Sequence, residues 1–430
     1  MGQSSSHRMS VTVLIACISG GLAVPACALA GNVNTDNFQT NVIPYYCAPY
    51  TQAGYAISNA ATLPVSTSTA CLDYTFSNRS ATDQATLVNG ITPDEVPALY
   101  TSLIQLSTNQ ISNITQHLQS HRYLQSHQDD NTASLSPLQR YVGGAAGDTV
   151  QLGRLSLFLD GAYVNGNRDD TNYTVGYDMT TNHYTLGADY RFSDAFIAGL
   201  AYGYSDAKLD YNLDRSSTDN TTNHYLVYGS WYKNNFAVDG TLAYARGSFD
   251  TTRNINNSGT IYTLQGSTDN SLTYGSLSGS YDFVDGGWTY GPNSSFEALQ
   301  GTIDAFNESG TSGWEMSFDK QKVRSQIFTM GGHFSYAWSF PWGVLVPQGR
   351  AEWRTQLKDS RDLIVGRFID DPTSSFTITP DSPDSDWYRI DLGASAQFTH
   401  GLAAFLNYQQ ILSYANTDLY TITLGARWEL

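Results

Sequence analysis

The polarity of the side chains alternates with a period of two residues over most of the chain, from about Arg154 to Leu430. In the last segment, for example, Ile422 and Leu424 share one parity and Thr423 takes the other. This period is typical of a β-strand with one apolar face, because successive side chains of a strand point to opposite sides. It predicts twelve strands, at 154–164, 183–192, 195–205, 223–233, 235–247, 272–283, 288–306, 324–340, 343–357, 386–399, 401–412 and 418–430.

The connections between these strands alternate between short and long. The short ones are at 193–194, 234, 284–287, 341–342 and 400, and the long ones at 165–182, 206–222, 248–271, 307–323 and 358–385. A bacterial outer-membrane barrel has this asymmetry, with short turns on the periplasmic side and long loops outside, whereas a soluble sandwich does not require it. The pattern therefore predicts an all-β transmembrane barrel of 12 antiparallel strands.

The composition supports this fold and excludes several others. Charged residues make up 14% of the chain and aromatic residues 13%. Soluble domains carry about 25% charged residues, and a helical membrane protein needs long apolar runs. A disordered chain would carry fewer aromatic residues. The net charge of −17 argues against a nucleic-acid partner, because phosphates require a basic surface.

Residues 1–30 have the pattern of a secretory signal peptide. An apolar stretch at 11–24 follows a basic start, and Ala28-Leu29-Ala30 provides small residues for cleavage. We expect export through the Sec translocon and cleavage after residue 30. Two alternatives are an uncleaved anchor, which would be short for a bilayer, and a lipoprotein cleavage box ending at Cys27.

Two cysteines, Cys47 and Cys71, remain once the signal peptide is removed. An even number of cysteines in an exported chain predicts a disulfide. Neither cysteine has the close Cys or His neighbours that a metal site requires. We therefore predict a structural disulfide, no metal and no cofactor.

The chain divides into a signal peptide at 1–30, a short exported region at 31–91, an amphipathic helix with a linker at 92–150, and the barrel at 151–430. Thr92-Pro93-Asp94-Glu95 is typical of a capping box, in which Thr92 and Glu95 cap the first turn. The helix is predicted from Asp94 to about His127. Its apolar residues recur at helical spacing: Val96, Leu99, Leu103, Leu106, Ile114 and Leu118. Such a helix either docks on a core or threads a water-lined pore.

Charged residues with inward parity are predicted to line the barrel lumen, because an arginine on the lipid face costs about 2–4 kcal/mol at the bilayer midplane. They are Asp160, Asp189, Arg191, Asp239, Arg350, Glu352, Arg354, Arg389, Asp391, Arg427 and Glu429. One interpretation is a hydrated lumen whose charges pair with one another and confer no selectivity. The other is that Arg350 or Glu352 anchors the helix through Asn109 or Asn113.

Aromatic residues near strand ends predict a girdle at the level of the lipid headgroups. They are Phe192, Phe196, Tyr232, Phe236, Phe340, Trp342 and Trp387. Aromatic residues of an ordinary sheet core would lie in the middle of the strands instead.

Several short sequences, together with the order of the segments, carry a resemblance to a known family. The sequences are those at 176–178, 183–192, 198–205, 225–231, 243–245, 344–347 and 424–428. A signal peptide, a short exported region, a helix and a carboxyl-terminal barrel follow one another in that order. The chain thereby resembles the type V autotransporter family over about 150–430.

The resemblance implies a translocator embedded in the lipid of the Gram-negative outer membrane. It also implies that the barrel-assembly machinery recognises the last strand, where the expected signal comprises Tyr420, Ile422, Leu424, Trp428 and Leu430. A hairpin in the pore would carry residues 31–91 outward and leave the helix as a plug. Residues 31–91 would then be a small surface-exposed cap or the remnant of a larger passenger.

No catalytic site is predicted, and the chain is interpreted as not being an enzyme. The sequence at 275–279 only superficially resembles a Gly-x-Ser-x-Gly elbow, and Gly147-Asp148-Thr149 is not the Gly-Asp-Ser block of esterase passengers. His183 and His224 lie near strand starts and are interpreted as solvated.

Three functions follow from these observations. The first is an autotransporter translocator that displays a short amino-terminal region. The second is a passive porin or channel, with the helix packed outside the lumen. The third is an adhesin whose long acidic loops bind a partner.

Overall fold

The structure, a computed structural model, describes residues 32–51, 65–76, 79–125, 154–212, 216–359, 362–382, 384–398 and 401–430. The predicted signal peptide and the end of the predicted linker lie outside the described residues. The strands are β1 (Leu155–Arg168), β2 (Tyr177–Ser193), β3 (Phe196–Tyr211), β4 (Ser217–Lys233), β5 (Phe236–Asn257), β6 (Thr260–Tyr281), β7 (Phe283–Asp285), β8 (Trp288–Ile303), β9 (Phe306–Ser309), β10 (Met316–Phe318), β11 (Gln321–Tyr336), β12 (Trp338–Phe340), β13 (Gly343–Asp359), β14 (Ile364–Phe368), β15 (Asp371–Ile378), β16 (Asp386–Phe398), β17 (Leu402–Leu412) and β18 (Thr417–Glu429).

Twelve of these strands form a closed antiparallel barrel, which confirms the predicted fold. They are β1–β6, β8, β11, β13 and β16–β18, and each overlaps one predicted segment. The first strand pairs with β2 and also with β18, from Ser156 opposite Glu429 to Arg168 opposite Thr417. This last pairing closes the sheet on itself, so that the barrel strands have no free edge.

Helices precede the barrel in the chain. A first group, which we call the cap, consists of α1 (Val33–Asn37), a π-helical turn (Phe38–Val42), α2 (Ile43–Thr51), α3 (Val65–Phe76) and α4 (Ala81–Ile91). The sequence predicted no regular element there. The central helix, α5 (Glu95–Gln125), agrees with the predicted helix to within about two residues at each end. In the described part of the chain, no helix combines the length and the apolarity needed to cross a membrane.

The two faces of the barrel wall have opposite polarity. Large apolar side chains point outward, and Leu186, Leu200 and Leu242 are each about 60% exposed (59%, 64% and 63%). Polar side chains alternate with them on the inner face. A protein in water could not keep such a belt exposed without aggregating, whereas lipid tails solvate it.

The predicted long loops are largely strand, which corrects the sequence analysis. Residues 248–271 form the end of β5 and the start of β6, which pair up to Asn257 opposite Thr260. The turn between them has positive φ at Ser258 (52°) and Gly259 (94°), as the tight hairpin turn requires. Beyond the lipid both faces of a hairpin can be polar, so the alternation that identifies the lower strands is lost.

We call the end of the barrel with this hairpin the loop end, and the end with the tight turns near Asn234 and Gly286 the turn end. At the loop end, β9, β10, β14 and β15 form a small second sheet. At the turn end, β7 and β12 extend two of the hairpins.

Candidate functional site: the barrel lumen and its cap

The central helix lies inside the barrel, with partners on strands all around the wall. Gln110 Nε2 donates to Thr185 Oγ1 on β2 (3.0 Å), and Ser112 Oγ donates to Gln409 Oε1 on β17 (3.1 Å). At the loop end, the Tyr211 hydroxyl on β3 donates to the carbonyl of Glu95 (3.2 Å). A helix packed outside the wall could not reach these inward-facing groups.

The outer half of the helix, near the loop end, packs in an apolar core. Val96, Leu99 and Leu103 have no exposed surface. They belong to one buried cluster with side chains of the cap, β5 and β6, among them Leu87, Phe249 and Leu264. This cluster joins the cap, the helix and the barrel into one hydrophobic unit.

The inner half of the helix, towards the turn end, buries Ile114 and Leu118 in the same cluster and adds polar contacts with the wall. His117 Nε2 lies 2.7 Å from Asp189 Oδ2, and its ring stacks on Phe158 with 3.7 Å between centroids. Ser156 Oγ donates to the other oxygen of Asp189 (2.6 Å). Near the end of the described helix, Arg350 donates to Gln119 Oε1.

The inward charges named from the sequence are buried or nearly so in the structure. Many of them pair with a neighbour: Arg389–Glu352 (2.6 Å), Arg389–Asp391 (3.3 Å), Arg350–Glu352 (3.6 Å), Arg354–Glu297 (2.7 Å), Arg427–Glu429 (3.0 Å) and Arg191–Glu429 (3.9 Å). Asp239 accepts from Ser230 Oγ at 2.6 Å. Asp160 is 1% exposed, and neither of its carboxylate oxygens has a hydrogen-bond partner among the described residues.

The anchoring contacts differ from those named in the sequence analysis. Arg350 contacts Gln119 rather than Asn109 or Asn113. Glu352 accepts from Asn293 on β8 (2.6 Å) and pairs with arginines of the wall. The role of the inward charges as a set stays a prediction.

Arg253, at the loop end of β5, was missed by the sequence analysis because it fell in a predicted loop. Its guanidinium is 2% exposed and donates to both carboxylate oxygens of Glu308, at 2.8 Å and 2.5 Å. It also donates to the carbonyls of Gly90 (3.1 Å) and Ile91 (2.7 Å), the last residues of α4. One side chain thus joins the cap to β5 of the barrel and to β9 of the small second sheet, and we call this group the Arg253 clamp.

The two residues of the predicted capping box make other contacts. The Thr92 hydroxyl donates to the carbonyl of Val88 (2.9 Å), at the end of α4. A carboxylate oxygen of Glu95 lies 3.5 Å from Arg253 Nε. The capping role itself stays a prediction.

Glu95 lies beyond the lipid-facing belt. Tyr244 is the last exposed aromatic residue of β5, and Arg246, the next residue on the same face, is solvated. Arg253, which Glu95 contacts, lies still further along this strand. Burial raises the pKa of Glu95 to about 7, although Arg253 opposes the shift. The negative charge of Glu308 adds to it. The carboxyl group therefore titrates near neutral pH.

The cap is closed by the predicted disulfide, which the structure confirms between Cys47 in α2 and Cys71 in α3. It lies on the loop end of the barrel. Asn34 Nδ2 donates to the carbonyls of Tyr173 (2.7 Å) and Thr379 (2.9 Å), on two different connections of the wall. The cap is therefore fastened to the barrel mouth at several separate points.

Two histidines interpreted as solvated are buried, which corrects that prediction. Ser205 Oγ lies 2.6 Å from His183 Nδ1 and 2.9 Å from His224 Nε2, and His224 Nδ1 lies 2.8 Å from the Tyr274 hydroxyl. The parity of the strand could have shown this, because His183 alternates with the outward-facing Tyr184.

The structure supports four of the seven residues predicted for the aromatic girdle, whereas Tyr232 and Phe340 are partly buried. Phe192, Phe196, Phe236 and Trp342 are at least 40% exposed on the outer wall. Trp387 is only 5% exposed and lies under the guanidinium of Arg354, 5.7 Å from the ring centroid.

The last strand, β18, closes the barrel. Of the residues expected to form the assembly signal, four are exposed on the outer face or at the terminus: Ile422, Leu424, Trp428 and Leu430. Tyr420 is partly buried. Recognition of this strand by the assembly machinery stays a prediction.

The family model described as Autotransporter beta-domain matches residues 157–409. YaiT of Escherichia coli (strain K12) is 26% identical over 57% of this chain and 24% of its own length. Lipase 1 of Photorhabdus luminescens is 24% identical, over 58% of this chain and 38% of its own length. Esterase EstA of Pseudomonas aeruginosa is 25% identical, over 53% and 35%. The chain thus spans well under half the length of these relatives.

Among solved structures, the translocator domain of the autotransporter NalP from Neisseria meningitidis superimposes with a TM-score of 0.53. The sequences are 16% identical, and the match covers 74% of this chain and 98% of that chain. At this identity the likeness shows the shared fold alone.

The names of two relatives contradict the prediction that the chain is not an enzyme. They are called a lipase and an esterase. The prediction depended on the absence of two short sequence motifs and on the interpretation of His183 and His224 as solvated. A hydrolytic site is defined instead by the geometry of its groups and recurs with unrelated sequence orders. Among the described residues, no group of three or more His, Cys, Asp or Glu is arranged to hold a metal ion.

Proposed function

Because the chain belongs to the autotransporter β-domain family, we propose that its outer-membrane barrel displays the amino-terminal region, residues 31–91, at the cell surface. The barrel is the translocator and spans the outer membrane of a Gram-negative cell. The parts proposed for the chain are a signal peptide at 1–30, the displayed region at 31–91, the helix and linker at 92–150, and the barrel at 151–430. The Sec translocon and the barrel-assembly machinery are the proposed partners in export and insertion.

The observation that carries this proposal is the direction of the central helix. Glu95 lies at the loop end beside the cap, and Gln119 lies deep in the lumen, bonded to Arg350. The chain therefore passes through the barrel from the cap towards the turn end, where β1 begins. In outer-membrane barrels the turn end faces the periplasm, and this orientation supports the proposal that the cap is outside.

The dimensions of the lumen fit the passage of a hairpin. A helix with its side chains is about 10–12 Å wide. Two extended strands side by side are about 4.8 Å apart and about 10 Å thick. A lumen that holds the central helix can therefore hold a hairpin during export. We propose that the helix replaces the hairpin when export ends.

We also propose that the barrel is the part that this chain shares with Lipase 1 and Esterase EstA. The match covers 38% and 35% of those two proteins. On this proposal, related barrels display exported regions of different size and chemistry.

Cysteine labelling of intact cells tests the display. Thr82 is exposed on α4 of the cap, and Asp285 is exposed in a tight turn at the other end of the barrel. Cys47 and Cys71 form a disulfide and do not compete for the reagent. We expect a membrane-impermeant maleimide to label Thr82→Cys in intact cells, and Asp285→Cys only after the outer membrane is permeabilised. Labelling of Thr82→Cys only after permeabilisation would overturn the proposal.

A further inference from the structure

A groove on the cap separates the first helical segment from the β14–β15 hairpin. Its volume is about 570 Å³, within the range of about 300–1,000 Å³ that is typical of small-molecule sites. One wall carries Asn37, Asn41 and Tyr45, and the other carries Asp371, Ser374 and Thr377. We propose that this groove binds a neutral oligosaccharide.

The helical wall of the groove has an unusual backbone. Between α1 and α2 the chain forms a π-helical turn, in which the N–H of Ile43 bonds to the carbonyl of Phe38. Such turns are rare and are frequent at functional sites. In the same stretch, Asn41 Nδ2 donates to Asn37 Oδ1 (2.9 Å), which leaves the Asn41 oxygen and the Asn37 nitrogen to meet a ligand.

The charge of the groove excludes anionic ligands. Among the described residues that line it, Asp371 is the one that carries a charge. A phosphate, sulfate or sialic acid would meet this carboxylate without any cationic partner. The polar groups offered are amides and hydroxyls, which can both donate and accept hydrogen bonds.

The aromatic floor of the groove argues against a purely apolar ligand. Tyr46, Phe368 and Phe376 are 4%, 3% and 7% exposed, so little apolar surface remains to be covered. Tyr46 already stacks on Phe368 with 3.8 Å between centroids. By contrast, Tyr45 is 69% exposed. One free aromatic face surrounded by amides and hydroxyls matches a pyranose, which has a flat C–H face and a rim of hydroxyls.

The full chain, purified in a detergent without a sugar headgroup, is applied to an array of neutral, sulfated and sialylated oligosaccharides. A sugar-based detergent would itself compete for the groove. We expect retention by neutral glycans, and a loss of affinity of about tenfold in Tyr45→Ala. Asn41→Ala should lose about fivefold, whereas Tyr45→Phe keeps the ring and should bind as before.

Ile261→Ala, a change at an exposed site on the tip of the β5–β6 hairpin, is the matched control and should leave binding unchanged. Three results would each overturn the proposal. They are retention by charged glycans alone, no retention by any neutral glycan, and binding by both Tyr45→Ala and Asn41→Ala that equals binding by the unmodified chain. In cells, glycan binding by the groove depends on the surface display proposed above. The array uses purified protein and does not depend on display. A protein that is not displayed can therefore be distinguished from a groove that does not bind glycans.

Discussion

The two halves of the central helix are held in different ways. The outer half inserts Val96, Leu99 and Leu103 into an apolar cluster shared with the cap and the extended strands. The inner half packs Ile114 and Leu118 into the part of this cluster formed by the wall. It also makes single polar contacts such as Gln110 with Thr185 and Ser112 with Gln409. The outer half packs against the cap as well as the wall, whereas the inner half packs Ile114 and Leu118 against the wall alone and adds hydrogen bonds to it.

This difference separates retention from passage. Burial of an aliphatic side chain contributes about 1.5–3 kcal/mol, but a hydrogen bond exchanged with water contributes only about 1 kcal/mol. Packing therefore contributes more to retention of the helix than any single polar contact does, and only the outer half also packs against the cap.

The largest expected effect is at the Arg253 clamp. Arg253→Met keeps the unbranched stem of the side chain but removes the guanidinium, and so leaves Glu308 and Glu95 buried without their partner. Breaking a buried ion pair in this way costs about 3–5 kcal/mol. We expect the free energy of unfolding, measured by guanidinium titration in micelles, to fall by this amount and the cap to become sensitive to protease.

The control is Arg246→Met, on the same strand. Arg246 and Asp269 are 3.5 Å apart, and their side chains are 69% and 59% exposed. Exposed pairs contribute little, so this variant should behave as the unmodified chain. Equal effects of the two substitutions would mean that the clamp does not hold the cap.

The next largest effect is expected in the outer half of the helix. Leu103→Ala removes a side chain with no exposed surface and should lower the free energy of unfolding by about 2–5 kcal/mol. Alanine is the best helix former, so the loss reports packing and not helix propensity. More frequent opening events in planar bilayers should accompany the loss. A change below about 1 kcal/mol would show that the packing of Leu103 does not retain the helix.

A smaller effect is expected from pH at Glu95. The pKa of this carboxyl group is raised from 4.5 to about 7 by burial. Between these values the folded chain holds a proton that the unfolded chain has released. The free energy of unfolding should therefore fall as pH rises from about 4.5 to 7, by about 1–3 kcal/mol, and then level off.

Glu95→Gln, which resembles the protonated acid, should remove most of this dependence. Parallel titrations of both chains between pH 4.5 and 8 measure it. Superimposable curves would assign the pH dependence to another group.

The smallest effect is expected at a single polar contact of the inner half of the helix. Gln110→Met keeps the volume of a fully buried side chain but withdraws the donor from Thr185 Oγ1. We expect a loss of about 1 kcal/mol in the same titration. A loss as large as that of Leu103→Ala would show that this single hydrogen bond holds the helix as strongly as a buried leucine does.

The sequence predicted the barrel wall well because lipid imposes a strict rule there. The lipid-facing side chains are mostly apolar, so several strands could be recognised from parity, and the alternation of short and long connections supported the rest. The same rule placed Asp189 and Arg389 on the inner face. The parity of its strand also predicts that His183 is buried. The sequence analysis interpreted this residue from its position near a strand start instead.

The loop end could not be predicted in the same way. Outside the lipid, the β5–β6 hairpin is polar on both faces and lost the pattern that identifies a strand. Arg253 acquires its role only when Glu308 and the end of α4 are brought beside it by the fold. The groove between the first helical segment and the β14–β15 hairpin likewise joins residues more than 300 positions apart. No local spacing encodes such contacts.

Between Glu95 and Arg122 the central helix contains no Asp, Glu, Lys or Arg. It is thus a plug without formal side-chain charge, apart from any proton on its two histidines, inside a tube that is rich in buried ion pairs. Dissolved salt weakens attractions between exposed charges, but it has little hold on packed leucines or amide hydrogen bonds. Changes in the ionic strength of the medium should therefore have little effect on how firmly this helix closes the pore.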